Sequence, residues 1–494
     1  MTTLYTVAGY LPGLAAGDVQ FQTLTFESAG NRLEVAAPVL TPEQMRQVAG
    51  RVREASRLHL KTMTVSQIVT VIDAAIARLL DPADPYRQQC DRLLPIVSGY
   101  DPEMVRLGLT SFFKTFRAPQ LQRFVAEDFA NPKLLDEFQP RPKGGMAKAF
   151  GPDLLVHSWA GNVPALALWS LVCGLLVKAG SVGKLASAEP VFAGLFARLL
   201  AEVHPPLADC LAVVWWKGGD AAQAEALFAE ADTVLAYGGN DALDAIRRLV
   251  PVTTRFLPFG HKLGFGMVGR EALDTLRAPA TARLAAHDVT RYDQQGCYSP
   301  HVFYVERGGA VSPREFAQHL AAELANLEHR FPRMPLALED TAAVANWRQA
   351  RELQSLSSSP ASSLAPDASG LIGGPGAAWG LAYSERLRPL APSALNRNIE
   401  VVAVDALDDV FPQLATSRAY LQTAGLAVTP ERLSRLSELL GAAGVTRIAA
   451  LGAMTSPEAG WHHDGRFNLL DLVRLVEIEQ SAELAADRLA PYAD

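Results

Sequence analysis

Between residues 19 and 39 apolar and polar side chains alternate about Gly30-Asn31, a period of two that predicts a β-hairpin. From 41 to 129 the period lengthens. The stretches 64–80, opening Thr64-Val-Ser-Gln, and 101–116, opening Asp101-Pro-Glu, set apolar residues at helical spacing behind N-cap residues. From 144 to 268 short apolar runs at 154–157, 181–184, 211–216 and 233–237 alternate with helical patterns at 163–176, 191–203 and 221–229. Such alternation implies an α/β domain, a parallel sheet covered by helices on both faces, whose ligands bind beyond the carboxyl ends of the strands. A second alternating block follows from 301 to 451, with a helix at 313–329, a strand at 399–404 and helical stretches around Tyr420 and Ser434. The Ser/Pro/Ala/Gly-rich stretch 355–380 lacks large apolar residues and reads as a surface loop.

Composition narrows the class. With 494 residues the chain suits two or three domains, and 49% apolar against 20% charged residues excludes a mainly disordered polymer. Lys and Arg number 45 against 52 Asp and Glu, so there is no basic footprint for nucleic acid, and small molecules or proteins are the expected partners. Cys90, Cys173, Cys210 and Cys297 show no CxxC pairing, which argues against a zinc site or a disulfide framework and fits a reducing cytoplasm. No signal-peptide pattern opens the sequence. The longest apolar stretch, 163–177, is interrupted by Pro164 and Gly174 and falls short of the roughly 20 residues that span a bilayer. Trp215-Trp216 reads as core or interface packing.

Candidate chemistry gathers in the turns. Cys297 lies in Tyr292-Asp-Gln-Gln-Gly-Cys-Tyr-Ser-Pro-His301, between the two blocks, where Gly296 permits close backbone approach. Taken alone, a cysteine is more often a buried small hydrophobe. Neighbouring segments alter that balance. His157-Ser-Trp-Ala-Gly-Asn162-Val-Pro164 resembles the Asn-aromatic-Pro turn of the aldehyde dehydrogenase superfamily, in which the asparagine amide helps hold an oxyanion. Ser181-Val-Gly-Lys184 through Pro190 resembles that superfamily's lysine-to-proline segment over the adenosine, and Tyr237-Gly238-Gly239-Asn240 is similar to its diphosphate turn. Gln295-Gly-Cys297 falls where the nucleophile is expected. Asp293 to Pro300, Phe259-Gly-His-Lys-Leu-Gly-Phe-Gly266 and His463-Asp-Gly465 resemble one branch more closely, the acyl-CoA reductases typified by the fatty acid reductase of bacterial bioluminescence.

The resemblance implies an aldehyde dehydrogenase-like fold. Residues 1–143 would form a hairpin and helical region packed on a Rossmann-like NADP(H) domain at 144–285, followed by a catalytic domain at 286–450 and a C-terminal segment at 451–494. It further implies reduction of a long-chain fatty acyl thioester to the aldehyde, with Cys297 carrying the acyl group and Asn162 holding the oxyanion. Ordinary aldehyde dehydrogenases carry a water-activating glutamate where Pro258 stands here, and proline cannot act as a general base, so hydrolysis is disfavoured. Ser187, three positions after Lys184, replaces a glutamate that repels a 2′-phosphate, which points to NADPH rather than NADH as cofactor and acyl-CoA as substrate. An acyl-loading synthetase as partner and a homo-oligomer are also implied. No metal is expected: His462-His463-Asp464 lacks further ligands at metal spacing and reads as a solvated or capping turn, while His157, His261 and His301 read as hydrogen-bonded structural residues. Glu400 lies near the position of the superfamily's nicotinamide-ribose glutamate, but its flanking residues differ. Two other readings stand beside the reductase: an oxidative aldehyde dehydrogenase, and a carrier that passes the acyl group on without reducing it.

Overall fold

A computed structural model describes residues 2–28, 30–357, 370–374 and 376–491. The chain divides into two compact units, the first comprising Met1–Ser98, Gly108–Gly260 and Glu458–Asp494, the second Gly99–Leu107 and His261–Pro457.

In the first unit the hairpin forms as the alternation predicts: Gln20–Ser28 pairs antiparallel with Asn31–Val39, and Ser28 faces Asn31 across the turn. Thr2–Val7 adds to the far side of Asn31–Val39 in parallel, a pairing with no local signal in the sequence. The Val65–Leu80 helix starts at a reciprocal cap. The Thr64 hydroxyl accepts from the Gln67 backbone N–H while the Gln67 side chain accepts from Thr64 N–H. Its inner face buries Ile68, Ile72, Ile76 and Leu79.

The centre of this unit is a fully parallel five-stranded sheet in the order Arg255–Phe259, Thr233–Tyr237, Leu154–Ser158, Gly180–Lys184, Leu211–Val214. Val156, Val182, Val214 and Val234 pack on Met45, Val48 and Val52 of the Pro42–Ala55 helix. Each such aliphatic side chain contributes about 1.5–3 kcal/mol when fully buried. Pro258 lies on the edge strand, where its missing N–H breaks no central ladder. The apolar helix expected over 163–176 starts only at Ala167, because Ala165 turns the chain with φ 62°. All ten residues of Ala167–Leu176 are buried, and no single helix among the described residues is long and apolar enough to cross a membrane. A separate antiparallel sheet joins Arg474–Ile478, Met146–Phe150 and Gln139–Pro140.

The second unit holds a seven-stranded sheet in the order Gly370–Ile372, Gly380–Ser384, Asn398–Val404, Pro300–Glu306, Leu263–Val268, Leu421–Ala427, Arg447–Ala450, parallel except for its first pair. Leu263–Val268, which periodicity assigns to the first block, lies inside this sheet between Pro300–Glu306 and Leu421–Ala427. The units therefore separate at Gly260/His261 rather than at 285/286. Glycine makes the strand fit: a Cβ on Gly266 would stand 2.2 Å from the Phe303 ring. Residues 99–107 also join this unit, with Tyr100 packed on Tyr292 at 5.5 Å between ring centroids. The expected C-terminal segment is shared, 451–457 going to the second unit and 458–494 to the first. The helical stretch expected around Tyr420 runs without a break through Leu407–Val410, Phe411–Leu414 and Ala415–Tyr420, a short α-helical turn between two 3₁₀ turns, before the strand. The expected 355–380 loop begins within the Leu338–Ser357 helix, contains the Gly370–Ile372 strand and ends on the first residue of the Gly380–Ser384 strand; its residues 358–369 and 375 lie outside the described residues.

Candidate active site

Adjacent strands of the parallel sheet bring Lys184, at the end of its strand, and the turns carrying Asn162, Ser187, Gly238 and Gly239 to one carboxyl edge. Trp159 folds back across that edge. Its backbone N–H donates to the Lys184 carbonyl at 3.2 Å, its indole N–H donates to Ser170 Oγ at 2.8 Å, and its ring fills the space a Cβ on Gly183 would need, at 1.7 Å. Gly161 allows the next contact, since a Cβ there would lie 2.8 Å from Ala188 Cβ. The Asn162 turn and the turn after Lys184 thus pack directly on each other, leaving Asn162 exposed. Glu189, buried between them, accepts from the N–H groups of Val191 and Phe192, each at 2.9 Å, and so caps the Phe192–Val203 helix.

Lys184 is partly covered. Burial lowers its pKa, and its Nζ stands 5.7 Å above the Trp216 ring. Ser187 is exposed and accepts from the Trp215 indole N–H at 3.2 Å. The tryptophan pair therefore packs as expected and also braces both adenosine-side candidates. Gly239 precedes the Asn240–Leu249 helix with no side-chain cap, and a Cβ there would meet nothing within 4 Å. The fold does not require glycine at that position. What the glycine leaves is bare backbone N–H at a helix start, suited to an anion. Nearby, Trp169 and Cys173 line a small apolar cavity with Leu235, Leu257 and Phe467.

Cys297 belongs to the second unit and is half-buried, whereas Cys90, Cys173 and Cys210 are buried. Gly296 is required beside it, because a Cβ would come within 2.3 Å of the Tyr298 ring. The Gln422 amide donates to Cys297 Sγ at 3.5 Å. Gln422 is fully buried on Leu421–Ala427, and its one sequence signal is a polar residue inside an apolar strand. An N–H aimed at sulfur favours developing negative charge there.

Other expectations change on inspection. His157 is held by packing rather than hydrogen bonds: neither ring nitrogen has a partner, the ring stacks on Trp159 at 5.7 Å, and burial pushes its pKa down to about 3, so it is neutral. His301 does have a partner, accepting from Ser393 N–H at 3.0 Å, and burial takes it likewise to about 3. Burial also lowers the pKa of His261, which packs edge-on against His301. His463 is not solvated. It stacks on Phe259 at 4.6 Å and on Tyr237 at 5.9 Å, because the aromatic faces exclude water from the turn. Glu400 is buried on Asn398–Val404, with its carboxylate taken by Arg351 at 3.0 Å and Arg388 at 3.7 Å. Among the described residues no three His, Cys, Asp or Glu side chains cluster as metal ligands.

The chain, with a fully parallel five-stranded sheet in one unit and Cys297 just ahead of a strand of the seven-stranded sheet in the other, has an aldehyde dehydrogenase-like fold. The aldehyde dehydrogenase KauB from Pseudomonas aeruginosa aligns with a TM-score of 0.73 at 13% identity, covering 96% of each chain. Aldehyde dehydrogenase 21 from Physcomitrella patens aligns with a TM-score of 0.72 at 12% identity, covering 97% of this chain and 99% of its own. Within that class, the chain belongs to the acyl-CoA reductase (LuxC) family, whose model matches residues 60–475. The long-chain acyl-protein thioester reductase of Vibrio harveyi is 24% identical over 432 residues, 85% of this chain and 84% of that protein. Its counterpart in Photorhabdus luminescens is 26% identical over 398 residues, 79% of this chain and 77% of that protein. The chain is an enzyme, a reductase acting on acyl groups.

Proposed function

We propose that this enzyme reduces a long-chain fatty acyl thioester, presented by coenzyme A or by an acyl-loading synthetase, to the aldehyde with NADPH, through an acyl group held on Cys297. The observation carrying this reading is the half-exposed thiol with the Gln422 amide on its sulfur, set against three buried cysteines. The Cys297 thiolate attacks the thioester carbonyl and forms a C–S bond. The Cys297 N–H stabilises the resulting oxyanion, a contribution of about 3–4 kcal/mol per donor in comparable sites. Collapse breaks the original C–S bond, the departing thiolate takes a proton, and the acyl group stays on Cys297.

Pro258 in the strand Arg255-Phe-Leu-Pro-Phe259 presents no carboxylate to activate water, which supports retention of the acyl group for reduction. The uncapped N–H groups after Gly239 suit the cofactor diphosphate, and Lys184 and Ser187 suit the 2′-phosphate of NADPH. NADPH, when bound, supplies the hydride that makes the reaction a reduction.

Acyl-CoA with NADPH tests the proposal. The wild-type enzyme should oxidise NADPH in step with aldehyde formation, and Cys297→Ala should do neither. Turnover in that variant removes the nucleophile. Acylation of Cys297 without NADPH oxidation favours a carrier, and free acid formed from aldehyde favours the oxidative reading.

A further inference from the structure

Arg397 is completely buried, at 0% exposure, and its guanidinium is used on every side. Nε donates to Asp293 Oδ1, Nη1 to Glu328 Oε2 and Nη2 to the Phe331 carbonyl, each at 2.7 Å. Asp293 is also buried, and its second oxygen accepts from Met334 N–H at 3.1 Å. This pair stands where two stretches of backbone are both left-handed. Tyr292, Asp293 and Gln294 have φ of 47°, 49° and 69°, and Leu395, Asn396 and Arg397 have φ of 54°, 52° and 62°. Residues other than glycine avoid this region, so two successive triplets persist only where the surroundings impose them.

The triplets are laced together. Asn396 N–H donates to the Asp293 carbonyl at 3.0 Å, and the Gln295 side chain donates to Asn396 Oδ1 at 3.0 Å. The first triplet runs straight into Gln295-Gly296-Cys297. We propose that Arg397 is a positioning residue for the Cys297 thiol: by clamping Asp293 it holds the left-handed turn from which the cysteine backbone departs, and so keeps the sulfur on the Gln422 amide. The inference rests on the reading of Cys297 as nucleophile. A rigid fork suits three acceptors spread around it, which a lysine ammonium does not.

The test uses the full-length enzyme carrying Arg397→Lys. Two quantities are read: kcat and KM for acyl-CoA reduction, and the pH profile of iodoacetamide alkylation at Cys297. The expected result is a kcat lower by about tenfold or more, a KM changed by less than about twofold, and half-maximal alkylation at higher pH as the sulfur leaves its donor. A wild-type kcat and alkylation profile would overturn the proposal. Should Arg397→Lys fail to unfold cooperatively, Glu328→Gln loosens only the guanidinium's part-exposed partner and should move both readings the same way, while unchanged readings overturn the proposal equally. Cys297→Ser separates the two layers. Turnover there removes the nucleophile, whereas an inactive Cys297→Ser beside an unaffected Arg397→Lys removes the clamp alone.

Discussion

Iodoacetamide applied to the native enzyme should modify Cys297 and spare the other three cysteines. Burial pushes the Cys210 thiol up to about 12 and raises Cys90 and Cys173 as well. At about pH 8 a thiol at 12 is ionised to about one part in 10⁴, whereas one at the ordinary value near 8.5 is about one-quarter thiolate. Thiolate population alone thus separates Cys210 from an ordinary exposed thiol by about 2,000-fold, before the need for local opening is counted. Timed alkylation, quenching and peptide mass mapping would follow all four cysteines in one experiment. Cys297 should be fully labelled while each of the others remains below about 1%, and a second dose in denaturant should reach all four. Comparable labelling of Cys210 and Cys297 in the folded enzyme would refute the reasoning. Prior incubation with acyl-CoA should slow labelling at Cys297.

Asn162→Ala should lower kcat by about a hundredfold with NADPH affinity retained, measured by steady-state kinetics and cofactor fluorescence; an unchanged kcat removes the oxyanion role. Ser187→Glu should shift the ratio of kcat/KM toward NADH, and an unmoved ratio argues against placing the adenosine there. Gly183→Ala sets a Cβ 1.7 Å from the Trp159 ring, which must leave and lose its bond to Ser170. A loss of about 1–3 kcal/mol in calorimetric stability is expected. Glu306 gives a pH dependence. Burial pushes its carboxyl up, but Arg432 and Arg270 outweigh that and hold it at about 2. A depressed carboxyl stabilises the fold above its unfolded value near 4.3 and loses that contribution as pH falls toward 2. The stability gap between wild type and Glu306→Gln, from urea unfolding, should therefore narrow over that window, and a constant gap counts against the ion pairs.

Local chemistry was legible where one segment decides it. Thr64 with Gln67 announces a capped helix, Gly30-Asn31 announces a hairpin, and alternation of strand with helix announces the parallel sheet. The positions of Asn162, Ser187, Gly238 and Gly239 after strands, and of Lys184 at a strand's last residue, were legible for the same reason. Pairing between distant segments was not. Leu263–Val268 reads as a strand in either block, and its neighbours at Pro300–Glu306 and Leu421–Ala427 decide which sheet takes it. Gln422 and Arg397 are two polar residues among many until the fold brings one to Cys297 and the other to Asp293.

The discontinuous first unit has a consequence for biosynthesis. The Met146–Phe150 strand receives its Arg474–Ile478 neighbour only after the intervening polypeptide has been translated. At about 5–20 residues per second that delay lasts roughly 15–65 s, during which one sheet edge stays unsatisfied on the nascent chain. Soluble yield in a recombinant host should consequently respond to elongation speed and chaperone supply, through an edge that the finished enzyme no longer exposes.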